Sequence, residues 1–152
     1  GKIISDELYS STGNIAIDSV INFKLSKASE IGTLVKADIK LPSGLQDGLE
    51  DLVTIIGNLL DNAIEALSDI DDNEKRLEIE VRYNIGNVNI DIKNSYNGEL
   101  NYKNGKIETK KHDKNMHGIG LESVKTAVEK HYGTMDIHHN NKEFHVNIML
   151  YL

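Results

Sequence analysis

The chain has 152 residues, of which 39% are hydrophobic and 27% are charged, and its formal net charge is −7. This composition is typical of one globular domain, and no apolar run approaches the ~20 residues that a membrane helix needs. The acidic balance excludes nucleic-acid binding through a basic face. The absence of cysteine excludes disulfides and thiolate metal sites.

The first part of the chain is predicted to be helical. Residues 14 to 31 carry apolar side chains at helical intervals, and Gly32 follows as a stop. A short strand is expected at 33 to 41. Asp47 and Glu50 have the spacing of a capping box, which predicts a second helix that begins there and runs to about Leu67.

The middle of the chain shows the alternation of strands. Apolar and polar residues alternate over 77 to 83 and over 88 to 92, with a hairpin turn expected at 84 to 87. The stretch from 95 to 117 is polar and has no periodicity, which predicts a long functional loop.

A further helix is expected from about Ile119 to Tyr132, and two alternating strands follow on either side of an Asn-Asn turn at 140 and 141. About five strands with one apolar face each, and about three helices to cover that face, predict an α/β fold. We expect a two-layer sandwich with a mixed, mostly antiparallel sheet.

The stretch "GNLLDNAIEAL" at 57 to 67 places two asparagines four residues apart in a helix interior. Asparagine is unfavourable there, because its side chain competes for nearby backbone groups. Asn58, Asp61, Asn62 and Glu65, at i, i+3, i+4 and i+7, would form a row of oxygen ligands opposite the apolar face, with Asp69 on the same side. Mg²⁺ prefers such ligands and usually takes one or two from protein. A solvated helix face remains the alternative.

The stretch "NMHGIGLESV" at 115 to 124 places Gly118 and Gly120 directly before a helix. Glycines allow the backbone to approach a ligand closely, and the N–H groups at a helix start bind anions. Five lysines between 103 and 114 favour a phosphate ligand, although a tight turn is the alternative.

The order of these motifs resembles the ATP-binding domain of sensor histidine kinases, in the GHKL superfamily with the Bergerat fold. "NLLDNAIEA" is similar to the N box of that family, and "HGIGL" is similar to its second glycine box. "TGN…D…K…A", "GNLLDNAIEA" and "TKK…HGIGL" resemble the peptide-pheromone, quorum-sensing subgroup. The resemblance covers the chain from Thr12 onward.

The resemblance implies ATP and Mg²⁺ as ligands. It makes Asn62 the metal ligand and Asn58 part of the phosphate site. "NSYNG" at 94 to 98 stands where the family has D-x-G-x-G, so Asn94 would accept a hydrogen bond from the adenine amine, and Tyr96 replaces a glycine. The nucleotide-binding residues implied are Asn58, Asn62, Asn94, Gly98, Lys110, Lys111, His117, Gly118, Ile119, Gly120 and Leu121.

The residue at 58 separates kinase from ATPase. Relatives that hydrolyse ATP with water carry a glutamate four residues before the metal asparagine, and Asn58 cannot act as a general base. Transfer to a neutral imidazole needs less activation. The resemblance therefore implies a protein histidine kinase.

None of the six histidines has the sequence context of a phosphate acceptor, so an acceptor histidine is expected in an upstream dimerisation domain. Residues 1 to 13 are interpreted as the remnant of that helix and linker, with a first helix over 5 to 31 holding the junction. Residues 14 to 152 would then be the catalytic domain, unable to phosphorylate itself.

The expected partners are the upstream domain and, indirectly, a response regulator. The expected location is the cytoplasmic part of a membrane-bound bacterial sensor, with no membrane-inserted segment in this chain. Two alternatives remain open at this point: a GHKL-type ATPase or serine kinase, and a docking module whose nucleotide site is inactive.

Overall fold

The structure is a computed structural model that describes the backbone of residues 8–103, 106–108 and 120–152 and the side chains of residues 8–71, 73–100 and 121–152. Within these residues the elements, in chain order, are α1 (Ile15–Glu30), β1 (Leu34–Lys40), α2 (Leu49–Leu67), a 3-10 helix (Asp72–Glu74), β2 (Arg76–Asn84), β3 (Asn87–Ser95), β4 (Asn101–Lys103), β5 (Lys106–Glu108), α3 (Gly120–Lys130), β6 (Thr134–His139) and β7 (Glu143–Tyr151).

The main sheet has five strands in the order β1-β2-β3-β7-β6. β1 pairs with β2 in parallel, and the other three pairs are antiparallel. The predicted mixed, mostly antiparallel sheet with helices on one face is therefore confirmed. β4 and β5 form a separate antiparallel pair.

The core lies between the sheet and the three helices. On β3, Val88, Ile90 and Ile92 are buried and alternate with half-buried polar residues, as expected of a strand covered on one face. α2 is the central helix: it contacts both α1 and α3, and it lies over β3. Its buried positions include Leu52, Ile56, Leu59, Leu60 and Ala63.

The turn between β2 and β3 follows the prediction. Ile85 and Gly86 both have positive φ angles, 45° and 79°, which is the geometry of a type I′ hairpin. This turn suits the right-handed twist of the two flanking strands, and Asn84 pairs with Asn87 across it.

The helix predicted over 14 to 31 is confirmed, but its predicted extension back to residue 5 and the capping box predicted for α2 are wrong. α1 begins at Ile15, and residues 8–14 are not helical, because side chains of α1 bind the backbone of that segment. α2 begins after Gly48, which has a φ of 72° and makes no side-chain capping bond, so Asp47 and Glu50 do not form a capping box.

The long loop predicted at 95 to 117 contains regular structure, because β4 and β5 pair within it. Residues 104–105 and 109–119 lie outside the described part of the chain. The helix expected over 119 to 132 is shorter in the structure, where α3 ends at Lys130. No helix among the described residues is long and apolar enough to cross a bilayer.

The helices give the domain two distinct ends. At the turn end, Leu152 N donates to Gly86 O at 2.7 Å, and Asp51 Oδ2 lies 2.7 Å from His131 Nε2. The start of α2 and the end of α3 therefore meet beside the β2–β3 turn. α2 has 19 residues and so extends about 28 Å from this point.

The other end is called the asparagine end here, because Asn58, Asn62 and Asn94 lie toward it. α2 leads through residues 68–75 into the start of β2, which pairs with the end of β3, where Leu77 lies opposite Asn94. α3 packs along α2 with its last residue at the turn end, so its first residue, Gly120, points to the asparagine end.

Candidate functional site

Asn62 lies in the second half of α2 and is half-buried at the edge of the apolar face. Its Nδ2 atom is buried and has no hydrogen-bond partner among the described residues. Buried amide nitrogens are nearly always paired in folded proteins, so an unpaired one indicates a place for a ligand. An amide can bind a cation through its oxygen while its nitrogen donates to an anionic oxygen.

The predicted row of oxygen ligands is shorter than expected. Asp61 Oδ1 lies 2.7 Å from Lys24 Nζ of α1, so this carboxylate faces the neighbouring helix. Asp69 is exposed and follows the end of α2 at Leu67. Asn58, Asn62 and Glu65 remain as half-buried polar residues on the same side of α2.

The donor set fits Mg²⁺ held mainly by oxygens that are not from the protein. No group of three His, Asp or Glu side chains suited to a metal occurs in the part of the chain whose side chains are described. Mg²⁺ usually takes one or two protein ligands, with water and substrate phosphates completing the octahedron. One amide oxygen from Asn62 is compatible with that arrangement.

Asn94 lies on the helix-covered face of β3, between Leu77 of β2 and Phe144 of β7, and is 5% exposed. Its Nδ2 donates to Ser95 O at 3.0 Å. A carbonyl oxygen can only accept, so this bond fixes which end of the amide is the nitrogen. Oδ1, which receives no hydrogen bond from a described residue, is left as an acceptor for a ligand amine.

Tyr96, which stands where the family has a glycine, has a structural role. Its ring packs edge-to-face on Phe144, with centroids 5.9 Å apart, and its hydroxyl donates to Asn140 O. Tyr96 N also donates to Lys142 O at 3.0 Å. The tyrosine therefore joins the segment after β3 to the β6–β7 turn.

Gly98 requires its glycine. Its φ is 85°, and a Cβ atom there would lie 2.7 Å from Asn141 O. The backbone at Gly98 therefore lies close against the β6–β7 turn. Gly98 and Tyr96 bind the same turn, and together they fix the path of the chain after Asn94.

The start of α3 faces the asparagine end, and the N-terminus of a helix carries a partial positive charge that favours anions. Gly120 is its first residue, and Leu121 packs against the core. The remaining predicted site residues, Lys110, Lys111, His117, Gly118 and Ile119, lie outside the described residues.

Two site residues were missed by the motif reasoning. Lys24 turns Asp61 away from Asn62, and the only signal was the lysine of the "TGN…D…K…A" string. Tyr96 was read as a departure from the glycine box, and its apolar contact with Phe144 could not be seen without the pairing of β3 with β7.

A second polar cluster lies on the open face of the sheet, away from the helices. Asp91 Oδ1 lies 2.6 Å from His145 Nε2 and accepts from Asn147 Nδ2 at 3.0 Å. Burial works against the charge of Asp91, but these two hydrogen bonds hold its pKa below the usual range. The carboxylate of Asp91 is therefore paired within the cluster. His138 and His139 lie on β6 and are exposed, as expected of surface residues.

Comparison with known proteins supports the reading of the fold. A family model described as a GHKL domain matches residues 48–151. No curated protein sequence is similar enough to be counted as a relative.

Three solved structures illustrate the likeness. The catalytic domain of histidine kinase ThkA is 16% identical, with a TM-score of 0.66 and 93% of each chain covered. The Acinetobacter baumannii histidine kinase AdeS is 13% identical, with a TM-score of 0.58, 90% of this chain and 62% of that chain. ShkA in complex with AMPPNP is 15% identical, with a TM-score of 0.62, 89% of this chain and 29% of that chain.

At these identities the likeness shows the fold, and the chain spans less than two thirds of AdeS and of ShkA. The family model matches more than half of the chain and includes α2, β3 and α3, which carry the candidate site. This chain therefore belongs to the GHKL domain family, with the fold of histidine kinase ATP-binding domains.

Proposed function

We propose that this chain is the ATP-binding catalytic domain of a two-component sensor histidine kinase. The observation that carries the proposal is the placement of three groups toward the asparagine end: the unpaired Nδ2 of Asn62, the acceptor Oδ1 of Asn94, and the start of α3. The Asn62 amide suits the metal ion and the phosphates of a nucleotide. The Asn94 oxygen suits the adenine amine, and the helix N-terminus suits a phosphate.

Each group has a proposed role. Asn62 Oδ1 would hold Mg²⁺ and its Nδ2 would donate to a phosphate oxygen, with Asn58 one turn earlier on the same side of α2. Asn94 Oδ1 accepts from the adenine amine. The backbone at Gly98, Gly118, Ile119, Gly120 and Leu121 and the side chains of Lys110, Lys111 and His117 complete the binding set.

The chain's own residues position the nucleotide. Mg²⁺ would supply charge neutralisation at the phosphates. Asn62 and the N–H groups at the start of α3 hold the phosphate chain, and Asn94 fixes the base, so that the terminal phosphate faces an incoming imidazole. Positioning and charge neutralisation are the main sources of rate enhancement in phosphoryl transfer.

The residue at 58 favours a kinase over an ATPase. An amide cannot take a proton from water at neutral pH, whereas a neutral imidazole is already a nucleophile. The acceptor in this proposal is a histidine of an upstream dimerisation domain, and a response regulator receives the phosphate next. The peptide-pheromone, quorum-sensing subgroup and a cytoplasmic location in a membrane-bound bacterial sensor belong to the same proposal.

The test is a calorimetric titration of the chain with a non-hydrolysable ATP analogue, with and without Mg²⁺. We expect binding that depends on Mg²⁺ and that weakens at least about tenfold in Asn62→Ala, since perturbing a metal site typically costs 10- to 100-fold. Asn84→Ala is the matched control, because Asn84 is exposed at the turn end.

Three results would contradict the proposal. Absence of binding by the wild-type chain under all conditions would leave a docking module as the better description. Equal binding by wild type and Asn62→Ala would move the nucleotide site away from α2. Rapid phosphate release from ATP without a histidine partner would favour the ATPase instead.

A further inference from the structure

The segment before α1 is held against that helix by side-chain bonds to its backbone. Tyr9 N and Ser10 N both donate to Asn22 Oδ1 at 2.8 Å, and Asn22 Nδ2 donates back to Ser10 O at 2.9 Å. Ser10 is 3% exposed. One asparagine therefore satisfies three backbone groups of a segment that has no regular secondary structure.

Asp18 binds the next part of the segment. Its Oδ1 accepts from Ser10 Oγ at 2.6 Å and from Thr12 N and Oγ1 at 3.0 and 2.8 Å, and its Oδ2 accepts from Gly13 N at 3.0 Å. Burial opposes ionisation, but these donors together hold the pKa of Asp18 below its usual value. We call Asp18, Asn22 and the backbone they bind, residues 9–13, the clamp.

The chain reverses direction at the clamp. Gly13 has a φ of 88°, and Asn14 then caps α1 by accepting from Ile17 N. Asn14 Nδ2 also donates to Ser43 O and Leu45 O, which fixes the turn to the loop before α2. Residues 9–13 consequently run antiparallel to α1, from the level of Asn22 back to its start.

The direction of α1 makes this reversal meaningful. Val20 packs against Gly57, where an added Cβ would lie 3.4 Å from Val20 Cγ2, and Lys24 pairs with Asp61. The two helices are therefore parallel, and Asn22 lies level with α2 between Asn58 and Asn62. The chain thus enters the domain level with the asparagine helix residues rather than at the turn end.

We propose that Asp18 and Asn22 are positioning residues for phosphoryl transfer: the clamp fixes the direction in which the preceding chain leaves the domain, toward the asparagine end where the phosphates are held. This inference rests on the proposed function, since it assumes a histidine in the chain that precedes the clamp. In this scheme the first four residues of "TGN…D…K…A" serve to position the chain before α1: Thr12, Gly13, Asn14 and Asp18. Neither Asp18 nor Asn22 contacts the nucleotide.

The test compares transfer with binding in the full-length kinase, in which this domain is joined to its own upstream histidine domain. We expect Asn22→Ala to lower the rate of phosphohistidine formation at saturating ATP by about 10- to 100-fold, the effect expected of a small misplacement of reactants. The KM for ATP should stay within about twofold, because the clamp is apart from the bound nucleotide. Ser26→Ala, an exposed substitution one turn later on α1, is the matched control.

Two further measurements distinguish positioning from a loss of folding. Amide exchange at Tyr9 and Ser10 in this chain should accelerate in Asn22→Ala while exchange in β3 is unchanged. Asn22→Asp keeps an acceptor for both N–H groups and should restore most of the transfer rate. Should Asn22→Ala fail to fold, Asp18→Asn can replace it, because it removes the charged acceptor of Thr12 and Gly13. We expect this variant also to lower the transfer rate while the KM for ATP is unchanged.

A trans assay gives the sharpest control. This chain, carrying Asn22→Ala, is mixed with the full-length protein carrying Asn62→Ala, which offers a histidine but no metal ligand of its own. Transfer between separate molecules does not depend on the clamp, so wild-type and Asn22→Ala chains should be equal there.

The outcomes separate the two proposals. If the wild-type protein binds no Mg-ATP or forms no phosphohistidine, the proposed function fails and this inference fails with it. If wild type transfers phosphate and the clamp variants transfer equally fast despite faster amide exchange, only this inference is overturned. An equal loss of rate in cis and in trans would likewise overturn it, because the defect would then lie in the site.

Discussion

At the turn end, Asp51 accepts hydrogen bonds from His131 and Lys130, and one main-chain hydrogen bond joins Leu152 to Gly86. At the asparagine end, Asn62 Nδ2 and Thr33 Oγ1 are buried without a hydrogen-bond partner in the described part of the chain. The first end ties two helices and the C-terminus together, so it contributes stability. The second keeps buried polar atoms unpaired, which lowers stability and is typical of a binding site.

The largest expected loss of stability comes from a substitution at the turn end, Gly133→Ala. A Cβ at Gly133 would lie 2.1 Å from Met149 O, so Gly133→Ala must displace backbone. We expect the free energy of unfolding to fall by about 3 kcal/mol, the upper range for overpacking. Urea denaturation measures it. Gly44→Ala, where an added Cβ meets nothing within 4 Å, is the control, and equal losses in both variants would contradict the prediction.

Removal of Asp51 should weaken the same end. Asp51→Ala leaves the half-buried His131 without its carboxylate, and we expect a loss of about 2 kcal/mol at neutral pH. The hydrogen bond from His131 lowers the pKa of Asp51, burial opposes this, and Lys130 adds to the lowering.

The lowered pKa fixes the pH dependence of that loss. The contribution of Asp51 is complete above its ordinary pKa of 3.8 and is lost as the pH falls through the lower folded-state value. The difference between wild type and Asp51→Ala should therefore shrink below about pH 4. The exposed Asp136→Ala is the control. A difference that grows on acidification would refute the assignment.

At the asparagine end a substitution should stabilise the domain. Thr33→Val replaces an unpaired buried hydroxyl with a methyl group of the same shape, and we expect a gain of about 1 kcal/mol. Thermal unfolding compares it with Thr54→Val, an exposed threonine of α2. A loss of stability in Thr33→Val alone would show that the hydroxyl is satisfied.

The smallest expected effect is that of Asn62→Ala on the stability of the fold. Its unpaired Nδ2 contributes no hydrogen bond, so the free energy of unfolding without nucleotide should change by no more than about 0.5 kcal/mol. Nucleotide binding by the same variant should be strongly weakened. Gly133→Ala should show the reverse, lower stability with unchanged affinity once folded. If Asn62→Ala lost both stability and nucleotide binding, the proposed difference between the two ends would be contradicted.

Most of the sheet could be predicted from the sequence, because alternation over β2 and β3 reports burial on one face directly. The periodicity placed the start of α1 within one residue, but the non-helical path of the segment before it could not be predicted. The apolar period continues to its first turn, but the segment before it is held by Asp18 and Asn22, and such bonds follow from tertiary packing. The capping box failed for a similar reason: Gly48 adopts a left-handed conformation that packs against Leu152.

The candidate site was predicted in part. The choice of asparagine at 62 was informative because it is unfavourable in a helix unless a ligand uses it, and its unpaired nitrogen agrees with that. Asp61 was misassigned, since its pairing with Lys24 depends on how α1 crosses α2. Residues 110, 111 and 117 to 119 stay predictions from the motif.

The pairing of β3 with β7 also bears on how the domain can vary. These strands are neighbours in the sheet, but the chain between them includes β4, β5, α3 and β6. Closing such a connection costs entropy that rises only with the logarithm of its length, about 0.6 kcal/mol for each doubling. Insertions and deletions between β5 and α3, which leave Tyr96 and Gly98 in place, are therefore compatible with folding, and the length of this connection can vary while the sheet is retained.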